Sequence, residues 1–196
     1  METKAKIEKY LRDTKREGIE DLILYLEDIG FYESPASTQF HGAYSGALAE
    51  HSLNVCETAC SMFTSLIQFD QSVKCPENIC QSIILCSLLH DVGKCGQFGK
   101  PLYVPNVLKS GEVSASKPFE RNKELMTLPH EIVSCIEVTK FIDLTEDEQL
   151  AIAWHNGLYG AFKYDIQGKE TLLYMIIHWA DMWASRVLET KERKTE

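Results

Sequence analysis

Six side chains in this sequence have the chemistry of transition-metal ligands: His51, the adjacent pair His90-Asp91, His130, His155 and Asp181. Neutral imidazoles and ionised carboxylates are suitable donors for divalent first-row cations. Four histidines and two aspartates can hold two such cations with one carboxylate bridging them. The His90-Asp91 adjacency is useful because consecutive residues at a helix end can both reach one metal. Any one of these histidines taken alone reads as an ordinary hydrogen-bonded residue. Several of them on inward faces read differently, and a buried aspartate needs a partner or a metal.

The elements that must position these residues are helices. Residues 3–29 read as helix, with Ile7, Tyr10 and Leu11 on one stripe and Ile19, Leu22, Ile23, Tyr25, Leu26 and Ile29 on another, punctuated by Gly18 and Gly30. Residues 31–45, with Pro35, Ser37, Thr38 and Gly42, read as an ordered loop. A long helix follows over 46–69, and His51 falls on its stripe of Leu48, Val55, Ala59, Met62 and Leu66. After a turn around Pro76, a helix over 79–91 puts Ile79, Ile83, Cys86 and His90 on one face. Another starts at Pro129, directly before His130, and carries Ile132, Val133, Ile136 and Phe141 inward. Thr145-Glu146-Asp147-Glu148 is a capping box that opens a helix running to Trp154-His155. The last helix, 171–189, aligns Ile177, Asp181, Ala184 and Leu188, and 191–196 reads as a charged tail that frays.

Between these helices lies an irregular connection, 92–127, broken by glycines and prolines. Leu102-Tyr103-Val104 and Val113 are candidates for a short hairpin across 106–111. Six lysines and arginines against three glutamates give this segment a net charge of +3 within a chain of −9. The overall reading is one domain over 1–196: an all-α helical bundle with at most one small β-hairpin in the 93–129 connection.

The overall negative charge disfavours a long phosphate backbone as partner, while a small phosphorylated ligand at the local basic segment stays compatible. No apolar run reaches the length of a membrane span, and Met1-Glu2-Thr3-Lys4 lacks the apolar core of a signal peptide. The expectation is therefore a cytoplasmic protein that does not enter membranes. The seven cysteines, odd in number and without paired CxxC spacing, read as reduced and mostly buried thiols rather than a zinc site. Trp154, Trp179 and Trp183 read as core.

The motif spacing resembles the HD superfamily of metal-dependent phosphohydrolases, whose signature is H…HD…D. Ala49-Glu50-His51-Ser52-Leu53-Asn54-Val55 is similar to its first-histidine motif, and Leu88-Leu89-His90-Asp91-Val92-Gly93-Lys94 to its HDxGK motif. His130 and His155 stand where the binuclear H…HD…H…H…D subgroup has its middle histidines. The resemblance covers roughly residues 17–190. It is nearest to small stand-alone bacterial and phage HD proteins, with further similar stretches at Pro35-Ala36-Ser37, His41-Gly42-Ala43-Tyr44, Leu128-Pro129-His130 and 151–155.

The resemblance implies that His51, His90, Asp91 and Asp181 hold one metal, and that Asp91 bridges to a second held by His130 and His155. The cofactors would be two divalent transition metal ions drawn from Mn, Fe, Co, Ni and Zn. Two cations about 3.5–4 Å apart can share a hydroxide that is nucleophilic near neutral pH. With Asp91, Lys94 is the expected catalytic group, placing positive charge on the phosphoryl group as negative charge develops. Lys94, Lys100, Lys117 and Arg121 are candidates for gripping substrate phosphate, each with a solvated surface cation as the plain alternative. Glu50 is a candidate for orienting a ligand, with a local salt bridge as the equal alternative, and His178 and His41 are weaker candidates, each with a structural histidine as the plain alternative. Tyr44, Phe98, Tyr103 and Tyr159 are candidates for stacking on a base, none preferred.

The expected activity is hydrolysis of a phosphate ester or phosphodiester, as a phosphatase or phosphodiesterase, in a small substrate such as a nucleotide. A single-stranded nucleic acid end also stays open as a substrate. The rivals are a di-iron oxygenase of similar ligand set and a non-catalytic nucleotide sensor. Substrate, metal and oligomeric state are not legible in the sequence.

Overall fold

The computed structural model describes residues 2–39 and 42–190. Among them are eight α-helices: α1 (Glu2–Asp13), α2 (Ile19–Asp28), α3 (Ala47–Phe69), α4 (Ile79–Leu89), α5 (His130–Val138), α6 (Glu146–Trp154), α7 (Lys163–Ile166) and α8 (Leu172–Trp183). A 3₁₀ turn follows α4 (Val92–Cys95), another follows α6 (Gly157–Tyr159), and a π-helical turn extends α8 (Ala184–Leu188). The only sheet among the described residues is a two-stranded hairpin, β1 (Tyr103–Pro105) with β2 (Phe119–Arg121). The chain is thus an all-α bundle with one small hairpin. No helix among the described residues is long and apolar enough to cross a membrane.

The bundle is built around α4. This helix is apolar on nearly every side, with Ile79, Ile83, Leu85, Cys86, Leu88 and Leu89 buried, as a central helix must be. It packs against α3, α8, α6 and α1, and α3 and α6 also pack on α8. The α3 stripe is buried at Leu48, His51, Val55 and Ala59, whereas Leu66 and Phe69 near its C-terminus emerge into solvent.

The expected single helix over 3–29 is two. Lys15 and Gly18 both adopt left-handed backbone, which ends α1 and redirects the chain into α2. Arg16, in that break, reaches the buried Glu148 side chain. Glu148 completes the capping box of α6: Thr145 Oγ1 accepts from the Glu148 amide at 3.3 Å, and Glu148 Oε2 accepts from the Thr145 amide at 2.9 Å. Ser82 of α4 also donates to Glu148 at 2.7 Å. One carboxylate therefore ties the α1–α2 break, α4 and α6 together.

Helix α4 stops at Leu89, two residues short of the expected end, because the chain tightens into the 3₁₀ turn. Gly93 explains the tightness. A Cβ there would lie 2.2 Å from His130 O and 2.9 Å from the Ser134 amide nitrogen, so only glycine lets α5 come this close. The Gly93 amide donates to Ser134 Oγ at 2.9 Å across that contact. The inward face of α5 differs accordingly from the expected one. Glu131, Val133, Ser134, Glu137 and Val138 are buried, while Ile136 faces out.

The hairpin pairs Tyr103 with Arg121, Val104 with Glu120 and Pro105 with Phe119. Val113 does not pair with β1 as expected. It makes a separate bridge with Val107 nearer the tip, because the connection is longer than the hydrophobic pattern suggested. All seven cysteines are free, but Cys75 and Cys80 are exposed and Cys60 and Cys135 only half-buried, so fewer thiols are buried than expected. Trp154 is core, whereas Trp179 and Trp183 are exposed and flank an open groove of about 570 Å³ between α3 and α8. The tail 191–196 and His41 lie outside the described residues.

Candidate metal centre

Five helices deliver the six ligand-type side chains to one place. His51 comes from the second turn of α3, His90 caps the C-terminus of α4, and Asp91 follows it. His130 begins α5, His155 caps the C-terminus of α6, and Asp181 comes from α8. Three overlapping sets have ligand atoms within 4.8 Å of one another: His51, His90 and Asp91; His90, His155 and Asp181; and Asp91, His130 and His155. His51, His90, Asp91 and His155 are buried, and His130 and Asp181 are partly open.

Asp91 divides its two oxygens between opposite imidazoles. Oδ1 lies 3.1 Å from His130 Nε2 and 3.5 Å from His155 Nε2. Oδ2 lies 3.4 Å from His90 Nε2 and 3.5 Å from His51 Nε2. Asp181 Oδ1 is 3.2 Å from His51 Nε2, on the Oδ2 side.

All four imidazoles have Nδ1 turned outward onto an acceptor. His90 Nδ1 is 2.8 Å from Ser87 O, and His155 Nδ1 is 2.7 Å from Ile152 O. His51 Nδ1 is 2.9 Å from Glu189 Oε1, and His130 Nδ1 is 3.0 Å from Glu131 Oε2. A carbonyl can only accept, so Nδ1 of His90 and of His155 carries the hydrogen. A neutral ring then presents a bare Nε2 lone pair to the centre. Outer acceptors that hold Nδ1–H in this way are the usual support of a metal-ligating histidine.

With the rings neutral, acceptors face acceptors. His90 Nε2 and Asp91 Oδ1 are fully buried with no hydrogen-bond partner. Leaving such atoms unsatisfied in the interior costs about 1–3 kcal/mol each, more for a charged group. A cation between them removes that cost, so the donor set fits divalent metal.

The local charges fit as well. Burial alone would hold the His51 imidazolium down, yet the carboxylates of Asp181 and Glu189 push its pKa up to about 10. Burial likewise opposes His155, and Asp91 with Asp181 overcomes it and raises the ring. His130 moves down, mainly through burial. Burial disfavours the Asp91 carboxylate, but Lys94 and the imidazoles of His90, His130 and His155 hold it well below the usual carboxylate range. The raised imidazoles of His51 and His155 and the Lys94 ammonium thus set positive charge against the carboxylates of Asp91 and Asp181.

The other expected site residues divide. Lys94 lies at the edge of the cluster, with Nζ 2.6 Å from Asp91 Oδ2 and a side chain that is 18 % exposed. Lys100 instead donates to Glu124 O at 3.1 Å on the surface. Lys117 is half-buried in the connection just before β2, where Asn106 Nδ2 donates to its carbonyl at 2.9 Å. Arg121 is exposed on β2, opposite Tyr103. Glu50 is exposed and accepts from the Tyr44 hydroxyl. His178 Nδ1 lies 2.7 Å from His155 O, so it braces the backbone of a ligand. Its ring stacks on Tyr174, with centroids 5.6 Å apart.

Sequence reasoning missed Glu131 and Glu189, the two carboxylates on ligand imidazoles. Glu131 had a signal, since it directly follows His130. Glu189 is less legible. Eight residues after Asp181 on a regular α-helix, it would fall about 80° away from it. The π turn at 184–188 absorbs one extra residue and returns Glu189 to the same face.

No protein-family model, no curated protein and no solved structure matches the chain.

Proposed function

We propose that this chain is a metal-dependent phosphohydrolase of the HD type, acting on a small phosphorylated substrate such as a nucleotide or a short phosphodiester. The observation that carries the reading is the division of the Asp91 oxygens. One faces His130 and His155, and the other faces His51 and His90. This is the arrangement expected of one carboxylate shared by two cation sites.

Two divalent cations, when bound, supply Lewis acidity to a phosphoryl group and its attacking water. The chain's own residues do the rest. Glu131, Glu189 and the carbonyls of Ser87 and Ile152 fix the imidazoles with Nε2 inward. Lys94 places a permanent positive charge beside Asp91, on the partly open side where phosphoryl charge would develop. Water adds to phosphorus, the ester P–O bond breaks, and the departing oxygen leaves as the alcohol. No covalent enzyme intermediate is required.

The test is a screen of nucleotides and cyclic dinucleotides with the manganese-, iron- and cobalt-loaded protein. The reading predicts phosphate or nucleoside monophosphate release that falls about 100-fold in Lys94→Met. Oxygen consumption by the reduced iron protein, without hydrolysis, would establish an oxygenase instead. Ligand binding that survives Asp91→Ala, with hydrolysis never seen, would establish a sensor.

A further inference from the structure

The hairpin projects from the same turn that carries Lys94. A Cβ at Gly96 would lie 2.0 Å from Lys100 O and 2.7 Å from the Leu102 amide nitrogen, so the start of β1 is seated directly on the end of the 3₁₀ turn. Leu102 is buried there, and the Phe119 amide donates to Thr38 O at 3.2 Å, which ties β2 to the loop before α3. The hairpin is therefore held beside the turn that carries Lys94.

Its register sets one pair of side chains apart. Tyr103 and Arg121 are directly opposite, so they share a face with Cβ atoms about 5 Å apart. Among the described residues neither the Tyr103 hydroxyl nor the Arg121 guanidinium has a hydrogen-bond or ion-pair partner. Tyr103 is half-buried, and the charges acting on its phenol are Lys94, Asp91 and Arg121. Exposure thus rises outward in steps, from buried Asp91 through Lys94 and half-buried Tyr103 to exposed Arg121.

We infer that Tyr103 and Arg121 form a second phosphate subsite outside the candidate metal centre, which makes the preferred ligand one with two consecutive phosphates, a nucleoside diphosphate or triphosphate. This rests on the phosphohydrolase reading for the first phosphate, which the cations and Lys94 would take. A phenol O–H and a guanidinium left without internal acceptors suit an anion rich in acceptor oxygens, and a planar guanidinium matches phosphate in bidentate fashion. Lys100 does not belong to this subsite, since its ammonium donates to Glu124 O.

The test is calorimetric titration of the manganese-loaded protein, in free manganese above saturation, with inorganic phosphate and with pyrophosphate. The expected result is at least tenfold tighter binding of pyrophosphate. Tyr103→Phe and Arg121→Met should each remove most of that advantage while leaving phosphate affinity and metal content unchanged. Lys123→Met, which removes a charge paired with Glu120 on the same hairpin, should retain the advantage. Equal affinities in the wild type, or an advantage that survives both substitutions, would overturn the subsite. Hydrolysis of nucleotides without a pyrophosphate advantage would overturn the subsite and leave the hydrolase standing. A Tyr103- and Arg121-dependent advantage without hydrolysis of any nucleotide would do the reverse.

Discussion

Glu189 Oε1 lies 2.9 Å from Nδ1 of His51, and Asp181 Oδ1 lies 3.2 Å from Nε2 of the same ring. Both carboxylates come from one helical run, and the π turn at 184–188 is what lets both reach one imidazole. Asn54, one turn after His51, donates to the same Glu189 oxygen at 3.3 Å. Glu189→Gln should therefore weaken metal binding by about 10–100-fold while the fold persists. If the centre takes two cations as proposed, the loss should fall on the His51 side more than on the His130 and His155 side. Manganese titration followed by paramagnetic resonance, with circular dichroism as the fold control, checks this. Unchanged affinity would mean that Glu189 does not position His51.

Gly93 links stability to the second half of the centre. Adding a methyl group there drives a Cβ into His130 O and the Ser134 amide, both backbone atoms of α5. Gly93→Ala should cost about 1–3 kcal/mol of stability. It should also displace His130 from Asp91 Oδ1, so, if the centre takes two cations as proposed, the one beside His130 should be lost first. Thermal unfolding and metal analysis of the same sample read both effects.

Glu148 should contribute to the acid limb of stability. Burial opposes its charge, but Ser82, the Thr145 amide and Arg16 overcome this and lower its pKa. A carboxylate whose pKa is depressed on folding stabilises the native state above its unfolded value of about 4.3 and loses that contribution as pH falls through the lower native value. Glu148→Gln should therefore flatten the dependence of melting temperature on pH below about 4.5. Glu148→Ala, which leaves Arg16 without this partner and removes the cap, should cost about 3 kcal/mol at neutral pH. An unaltered acid limb in Glu148→Gln would assign it to other groups.

The parts of this structure legible in the sequence are those written as a polar residue on an apolar stripe. His51, His90 and Asp181 stand out because leucine, isoleucine and alanine surround them at helical spacing. The α6 capping box is equally plain, since Thr145 and Glu148 specify it locally. What stays hidden depends on backbone geometry or on polar packing. The α1–α2 break uses Lys15 in left-handed backbone, a conformation that lysine does not advertise. The inward face of α5 carries His130, Ser134 and Glu137, so hydrophobic periodicity points instead to Ile136. The partner of β1 lies beyond Val113 because Val107 and Val113 close a separate bridge first. Glu189 is hidden by the π turn, which shifts the register that a 3.6-residue period assumes.

The most direct test is the number of metal ions that Asp91 commands. Protein purified anaerobically, stripped and reloaded with manganese or iron should hold two ions per chain by elemental analysis. His130→Ala should retain about one, and Asp91→Ala should lose both. A wild-type stoichiometry that stays at or below one ion per chain under saturating metal would contradict a centre built on a carboxylate shared between two sites.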